Sequence, residues 1–318
     1  NPQNRIAPRT IGHIERHDPA LNGILPGDAV IEILAEGHGW TEGPLWVPQL
    51  NALLYSDIPA NSIFICKEAG DAKPWIAPAA GNPQGSCWSN GLTLDADGRL
   101  LLAQHGCRQI ARLESGWDQP VPDYKTLAGT FNGKQFNSPN DLVLRHDNSV
   151  YFTDPPYGLA GGADDPAREL DFQGVFRLGP DGSVQLLVDT LSRPNGIALS
   201  PEEDVLYVAN SGEDQEVIMA YDLGEDGGII SERVFYASRG DGLKVDKQGN
   251  VFVAKPERGV LVLSPEGKLL GTIHTTELTS NVAFGQDGAA LYITANGCEL
   301  RVRRNAASAL PCARSEEH

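Results

Sequence analysis

One small pattern returns six times along this 318-residue chain, each time at the head of a strand-like apolar run: an oxygen-bearing side chain followed at once by a small or short residue. The copies are Glu42-Gly43, Asn90-Gly91, Asn140-Asp141, Asn195-Gly196, Asp241-Gly242 and Asn281-Val282, spaced by 48, 50, 55, 46 and 40 residues. Self-similarity at such a period is the signature of propeller blades. Each mark leads into an apolar run, a turn rich in Asp, Gly or Asn, and a second apolar run, as in Gly91 to Ala103 and Gly242 to Ala254. Those are hairpin signals, and the period leaves room for four strands per unit. The expected fold class is therefore all-β, a six-bladed β-propeller with each mark opening an innermost strand.

That arrangement also predicts a site. Six side-chain oxygens would converge on the central axis, two of them from the acids Glu42 and Asp241. Hard oxygen donors of this kind suit a divalent cation such as calcium or magnesium, and the expectation is one metal site near the axis.

No Ser/Gly-rich or charged linker divides the chain, so a single propeller is expected over residues 28–304. Residues 1–27, with Pro2, Pro8, Pro19 and Pro26, read as an irregular arm, and 305–318 as a C-terminal tail. The run Ala29 to Leu34 reads as a strand that joins the last blade and closes the ring, removing exposed edges.

The formal charge of −17, from 25 basic and 42 acidic residues, is spread along the chain. It argues against nucleic acid or an anionic membrane surface as partner, since both need basic patches. No run of 18 apolar residues exists to form a transmembrane helix. The five cysteines (Cys66, Cys87, Cys107, Cys298, Cys312) show no zinc-like spacing and read as buried free thiols, a Cys87–Cys107 disulfide being the alternative. His13 and His17 stand four apart in what reads as a surface helical turn, without the companion residues of a zinc motif. There is no G-x-S-x-G elbow, H-E-x-x-H or P-loop.

Several phrases together resemble one family. Trp40-Thr41-Glu42-Gly43-Pro44, Tyr55-Ser56-Asp57-Ile58-Pro59-Ala60-Asn61, Ser89-Asn90-Gly91, Gln104-His105-Gly106, Ser138-Pro139-Asn140-Asp141, Tyr151 to Gly158 and Arg193-Pro194-Asn195-Gly196 are similar to the gluconolactonase branch of the SMP-30/gluconolactonase/luciferin-regenerating-enzyme family. The resemblance implies a metal-dependent hydrolase of a small-molecule sugar lactone such as D-glucono-1,5-lactone. Carried over by motif, the metal ligands would be Glu42, Asn195 and Asp241, with Asn140 a ligand or a substrate contact. Asp241 is the implied catalytic base and His105 its catalytic partner, while Asn90, His105 and Asn140 would touch substrate. The likeness to exported lactonases, in a chain that opens on Asn1, points to a periplasmic or secreted protein, with the cytoplasm as the alternative.

The residues bear this out chemically. Two carboxylates and two amide oxygens nearly neutralise a dication and leave positions of a calcium sphere open to water and substrate. Calcium is the first expectation, with magnesium, manganese or zinc as alternatives. Asp141 and Asp154 are other candidates for proton transfer, although strand alternation would turn Asp141 away from the axis. Asn281 lacks the following Gly or Asp and is a weaker member of the ring; His274 and Trp40 are candidate pocket walls. A phosphotriester hydrolase is the competing enzymatic reading, and a binding platform tied together by its ion is the non-catalytic one.

Overall fold

The computed structural model describes residues 8–79, 87–257 and 259–305, and within them the chain is a six-bladed β-propeller. Blade one comprises Thr41–Val47, Ala52–Asp57, Ser62–Cys66 and Lys73–Ile76; blade two, Ser89–Leu94, Leu100–Gln104, Gln109–Leu113 and Tyr124–Ala128. Blade three follows with Leu142–Leu144, Val150–Asp154, Gly174–Leu178 and Val184–Val188, and blade four with Pro194–Leu199, Val205–Asn210, Ile218–Leu223 and Ile229–Tyr236. Blade five is Leu243–Val245, Val251–Lys255, Gly259–Leu263 and Leu269–His274. Blade six takes three strands in chain order, Thr279–Gly285, Ala290–Ala295 and Cys298–Arg303.

The turns within the blades have a local cause. The Asp95 carboxylate accepts the amides of Asp97 and Arg99, and Asp246 accepts those of Gln248 and Asn250, all within 3.0 Å. An Asp that bonds the backbone two and four residues on builds the reversal itself. Buried aliphatic and aromatic residues then fill the space between neighbouring sheets, as where Phe136, Phe152 and Phe176 pack together.

Blade six is completed from the other end of the chain. Ile31–Ala35 pairs antiparallel with Cys298–Arg303, as the run Ala29 to Leu34 predicted. The buried Arg301 guanidinium donates to Glu32 across that seam at 2.6 Å. The preceding segment, expected to be irregular, instead supplies two edge strands: Thr10–Ile11 extends blade six, and His13–Arg16 pairs with Leu269–His274 of blade five. Leu21 and Leu25 beyond them are wholly buried against Phe252, Val260 and Ile273. The arm is thus part of the core, because its prolines only flank short runs that can pair with an open sheet edge. Residues 1–7 and 306–318, most of the expected tail, lie outside the described residues.

The six marks open the innermost strands, and hydrogen bonds link each blade to the next beside them. Ser56 Oγ donates to the Asn90 carbonyl, Gly91 N to Asn140 O, Thr153 Oγ1 to Asn195 O, Gly196 N to Asp241 O, Gly242 N to Ser280 O, and Ser280 Oγ to Thr41 O, all between 2.6 and 3.1 Å. This circuit explains the small residue in the mark. A Cβ on Gly196 would stand 2.3 Å from the Asp241 carbonyl oxygen, and one on Gly242 2.0 Å from the Asn281 side chain.

Gly196→Ala should therefore lose about 1–3 kcal/mol in urea unfolding through overpacking against fixed backbone. Gly116→Ala, where an added Cβ meets nothing within 4 Å, should stay within about 0.5 kcal/mol of the parent.

Candidate active site

A cavity of about 420 Å³ opens at one end of the axis. Glu42, Asn90, His105, Asn140, Asn195 and Asp241, the residues expected to hold the metal, touch substrate or act in catalysis, line it. Five of the six marks thus meet at one place. Asn281 instead bridges two acids: its Nδ2 donates to Glu42 Oε2 at 3.2 Å and to Asp141 Oδ2 at 3.4 Å.

Two alternatives for proton transfer have structural employment. Asp141 is buried outside the cavity lining, with Lys244 Nζ 3.3 Å from its carboxylate and the Leu142 amide donating to it at 2.9 Å. Asp154 is wholly buried and accepts the amides of Asn137 and Ser138 at 2.7 and 2.8 Å. It shapes the Ser138-Pro139-Asn140 turn that delivers Asn140 to the cavity, and burial pushes its carboxyl up to about 7 against the pull of those amides.

The two axial acids are electrostatically unsatisfied. Neither Glu42 nor Asp241 has an ion-pair partner among the described residues. Burial, joined by the charge of Asp141, pushes Glu42 up to about 7 despite the Gly43 amide bonded to it. Burial raises Asp241 well above the usual carboxylate range, with Glu42 and then Asp141 adding repulsion. Asp241 Oδ1, Asn195 Oδ1 and Asn90 Oδ1 are buried without a hydrogen-bond donor. Buried oxygens of this kind carry a large desolvation cost unless a cation or donor faces them. The residues therefore fit a divalent cation, and the set is of hard oxygens. Among the described residues no group of three or more His, Cys, Asp or Glu side chains that could hold a metal gathers, so the fit depends on the asparagine amide oxygens beside the two acids.

His105 brings a different chemistry. Burial pushes its imidazole down to about 4, which leaves it neutral at pH 7. Its Nδ1 lies 3.5 Å from Asn90 Nδ2. With that amide as donor, the proton resides on Nε2, free to donate toward substrate. The ring stands edge-on to Trp88, and the His105 amide donates to the Trp88 carbonyl at 3.1 Å.

The same corner corrects the reading of the cysteines. Cys87 and Cys107 are bridged, their Cα atoms 4.6 Å apart. Twenty residues separate them in sequence, but Ser89 pairs with Gln104 across the hairpin, so the flanking positions come together. Cys66 is a buried free thiol as expected, Cys298 is free but only partly buried, and Cys312 lies outside the described residues.

Trp40 forms part of the cavity wall, as anticipated, and the Asp57 carboxylate holds it by accepting the amides of Gly39 and Trp40. His274 does not: it sits on the outer part of blade five, stacked on His13 at 4.6 Å and bonded to Glu15 at 2.9 Å. His13 lies in a strand, not a helical turn, so the i, i+4 reading of His13 and His17 has no helix to act on. Tyr157, Ser211 and Arg239 extend the lining beyond the expected residues; Tyr157 closes the run Asp154-Pro155-Pro156-Tyr157 and Arg239 lies two residues before Asp241, whereas Ser211 carries no sequence signal. Here the Tyr157 hydroxyl meets Ser211 Oγ at 2.5 Å, Asn195 Nδ2 lies 3.4 Å from that same oxygen, and Arg239 is braced by Glu213 and Glu257.

Known proteins share this architecture and its sequence. The chain is 38% identical to a gluconolactonase of Zymomonas mobilis over 95% of its own length and 88% of the relative's. A pentonolactonase of Haloferax volcanii is 26% identical over 80% of this chain and 81% of its own. A gluconolactonase structure from Xanthomonas campestris superposes with a TM-score of 0.81 at 32% identity, covering 95% of this chain and 99% of that one. The family model described as SMP-30/Gluconolactonase/LRE-like region matches residues 40–297, most of the propeller, and the chain belongs to that family.

Proposed function

We propose that the chain hydrolyses a sugar lactone, with D-glucono-1,5-lactone the first substrate to test. The observation that carries this is the convergence in one cavity of two unpaired buried acids, unpartnered amide oxygens and a neutral histidine. The names of the relatives support the same substrate class. Glu42, Asn140, Asn195 and Asp241 would hold a divalent cation, calcium being the first candidate. When bound, it supplies Lewis-acid polarisation of the ester carbonyl and compensates the two carboxylates.

The residues of the chain do the rest. Asp241 takes a proton from the attacking water, using the oxygen that no protein donor occupies. The water oxygen bonds to the carbonyl carbon, the ring C–O bond breaks, and the proton passes to the departing ring oxygen, leaving an aldonic acid with a free hydroxyl. The Nε2–H of His105 donates to a substrate oxygen, and Asn90 both fixes the His105 tautomer and offers an acceptor for a lactone hydroxyl. Trp40, Ile58 and Pro59 supply an apolar wall for the C–H face of the sugar ring. The Cys87–Cys107 bridge supports an oxidising compartment, in keeping with export.

Acid release from D-glucono-1,5-lactone, measured above the spontaneous rate, should vanish on chelation and return with one of calcium, magnesium, manganese or zinc. Asp241→Asn should lower kcat by about 10²–10⁴-fold. Faster turnover of an organophosphate triester would transfer the reading to phosphotriester hydrolysis. Inactivity of folded, metal-loaded protein on both would leave a binding platform.

His105 generates a separate expectation. Its folded pKa lies below that of an unfolded histidine, so the unfolded chain binds the proton first on acidification. The stability it contributes is complete above pH 6.5 and is lost as pH falls toward 4. The full loss is about 3 kcal/mol. Urea titrations across that window should show a shallower slope in His105→Gln; an unchanged slope would mean that His105 is protonated in the folded protein.

A further inference from the structure

Beside the axial cavity, a second one of about 500 Å³ is lined by Gln173, Ser192, Arg193, Asp214 and their neighbours. Ser211 and Arg239 line both. The two spaces therefore share two lining side chains, close to the Tyr157 hydroxyl that meets Ser211 Oγ. Each is of the size of a small-molecule site.

The lining of the second cavity differs in kind from that of the first. It lacks the tryptophan, isoleucine and prolines of the axial cavity, and Ala163 is its sole apolar side chain. In their place stand planar polar groups that donate or accept in pairs. The Arg193 guanidinium lies 5.9 Å from the Tyr157 ring centroid and pairs with no carboxylate among the described residues. Gln173 Oε1 is buried without a donor. Asp214 accepts from Ser192 Oγ at 2.8 Å, and Glu213 braces Arg239 at 2.8 Å.

Charge and polarity narrow the occupant. The lining holds two arginines and two acids, Glu213 and Asp214, so it has no excess positive charge to select a phosphate or carboxylate. An aliphatic substituent would leave Gln173 Oε1 without a donor, whereas Arg193 is exposed to water. A neutral group rich in hydroxyls satisfies both conditions, since vicinal hydroxyls match the paired donors and acceptors of Arg, Gln and Asp side chains.

We propose that this cavity is a second sugar subsite, and that the substrates of the axial site include aldonolactones carrying a glycosyl substituent. The inference rests on the lactonase reading. The bond broken is still the ring ester: water adds its oxygen to the carbonyl carbon, its proton goes to the ring oxygen, and the product is a glycosyl aldonic acid with the glycosidic bond intact.

The test compares maltobiono-1,5-lactone with D-glucono-1,5-lactone on the metal-loaded enzyme, the products being identified by mass. The disaccharide lactone is expected to be hydrolysed with kcat/KM at least equal to that of gluconolactone. Gln173→Trp, which fills the second cavity, should lower kcat/KM for the disaccharide lactone at least tenfold and leave gluconolactone within twofold. Gln173→Ala should show the same selectivity more weakly, about three- to fivefold, while its gluconolactone activity reports that it is folded. Turnover of gluconolactone without the disaccharide lactone would overturn the subsite and spare the lactonase reading. Equal losses on both substrates in Gln173→Ala would also overturn it. Failure to hydrolyse either lactone would overturn both.

Discussion

Everything in this molecule depends on how closely six innermost strands approach one another around the axis. Backbone meets backbone there: Gly91 N donates to Asn140 O, and Gly196 N to Asp241 O. Side-chain hydroxyls of Ser56, Thr153 and Ser280 complete the circuit. Glycine is required where a neighbour's carbonyl or side chain occupies the position of its Cβ, as Gly196 and Gly242 illustrate. The polar residues before Gly91, Gly196 and Gly242 have their carbonyls taken up by the ring, which fixes their main chain while their side chains line the cavity. The circuit that closes the fold is thus also the scaffold that positions the site, on strands instead of mobile loops.

Closure has an electrostatic consequence. Strands packed this tightly exclude water, so Glu42 and Asp241 are held as buried acids that repel each other. The protein supports the site from behind by other means. Asn281 donates to both Glu42 and Asp141, while Lys244 sits on Asp141. Asp241, Asn195 and Asn90, each with a side-chain oxygen left unpaired, all line the cavity. His105 faces the same space neutral, because its burial is not offset by a carboxylate. A site with charge to spare on one side and a neutral donor on the other can distinguish two oxygens of one ester.

Legibility in the sequence followed the range of the interactions involved. The blade period, the Asp-built turns and the closing strand near Ile31 are local or repeated signals, and each found its place. Glu42, Asn90, Asn140, Asn195 and Asp241 were legible because a repeat converts sequence position into position about an axis. Asp154 was ambiguous: a carboxylate before Pro155 can serve chemistry or backbone, and only the amides of Asn137 and Ser138 decide for backbone. His274 was misplaced because its register within blade five carries it outward to His13 and Glu15. Ser211 gave no signal, for its importance lies in one contact with Tyr157, 54 residues away.

By itself the sequence determined the all-β class, the number of blades and five of the six marked side chains that meet in the axial cavity, since these follow from periodicity and from local turn chemistry. Tertiary structure decided the rest. It bridged Cys87 to Cys107 by placing the two ends of one hairpin together, and it drew the early strands Thr10–Ile11 and His13–Arg16 onto two different blades. It assigned Asp141 and Asp154 to support while leaving Asp241 exposed to the cavity, and it set a polar cavity beside an apolar-walled one across Ser211 and Arg239. The physical reason is the same in each case: burial, register and electrostatic pairing are properties of residues far apart in the chain, and they exist only once the ring has closed.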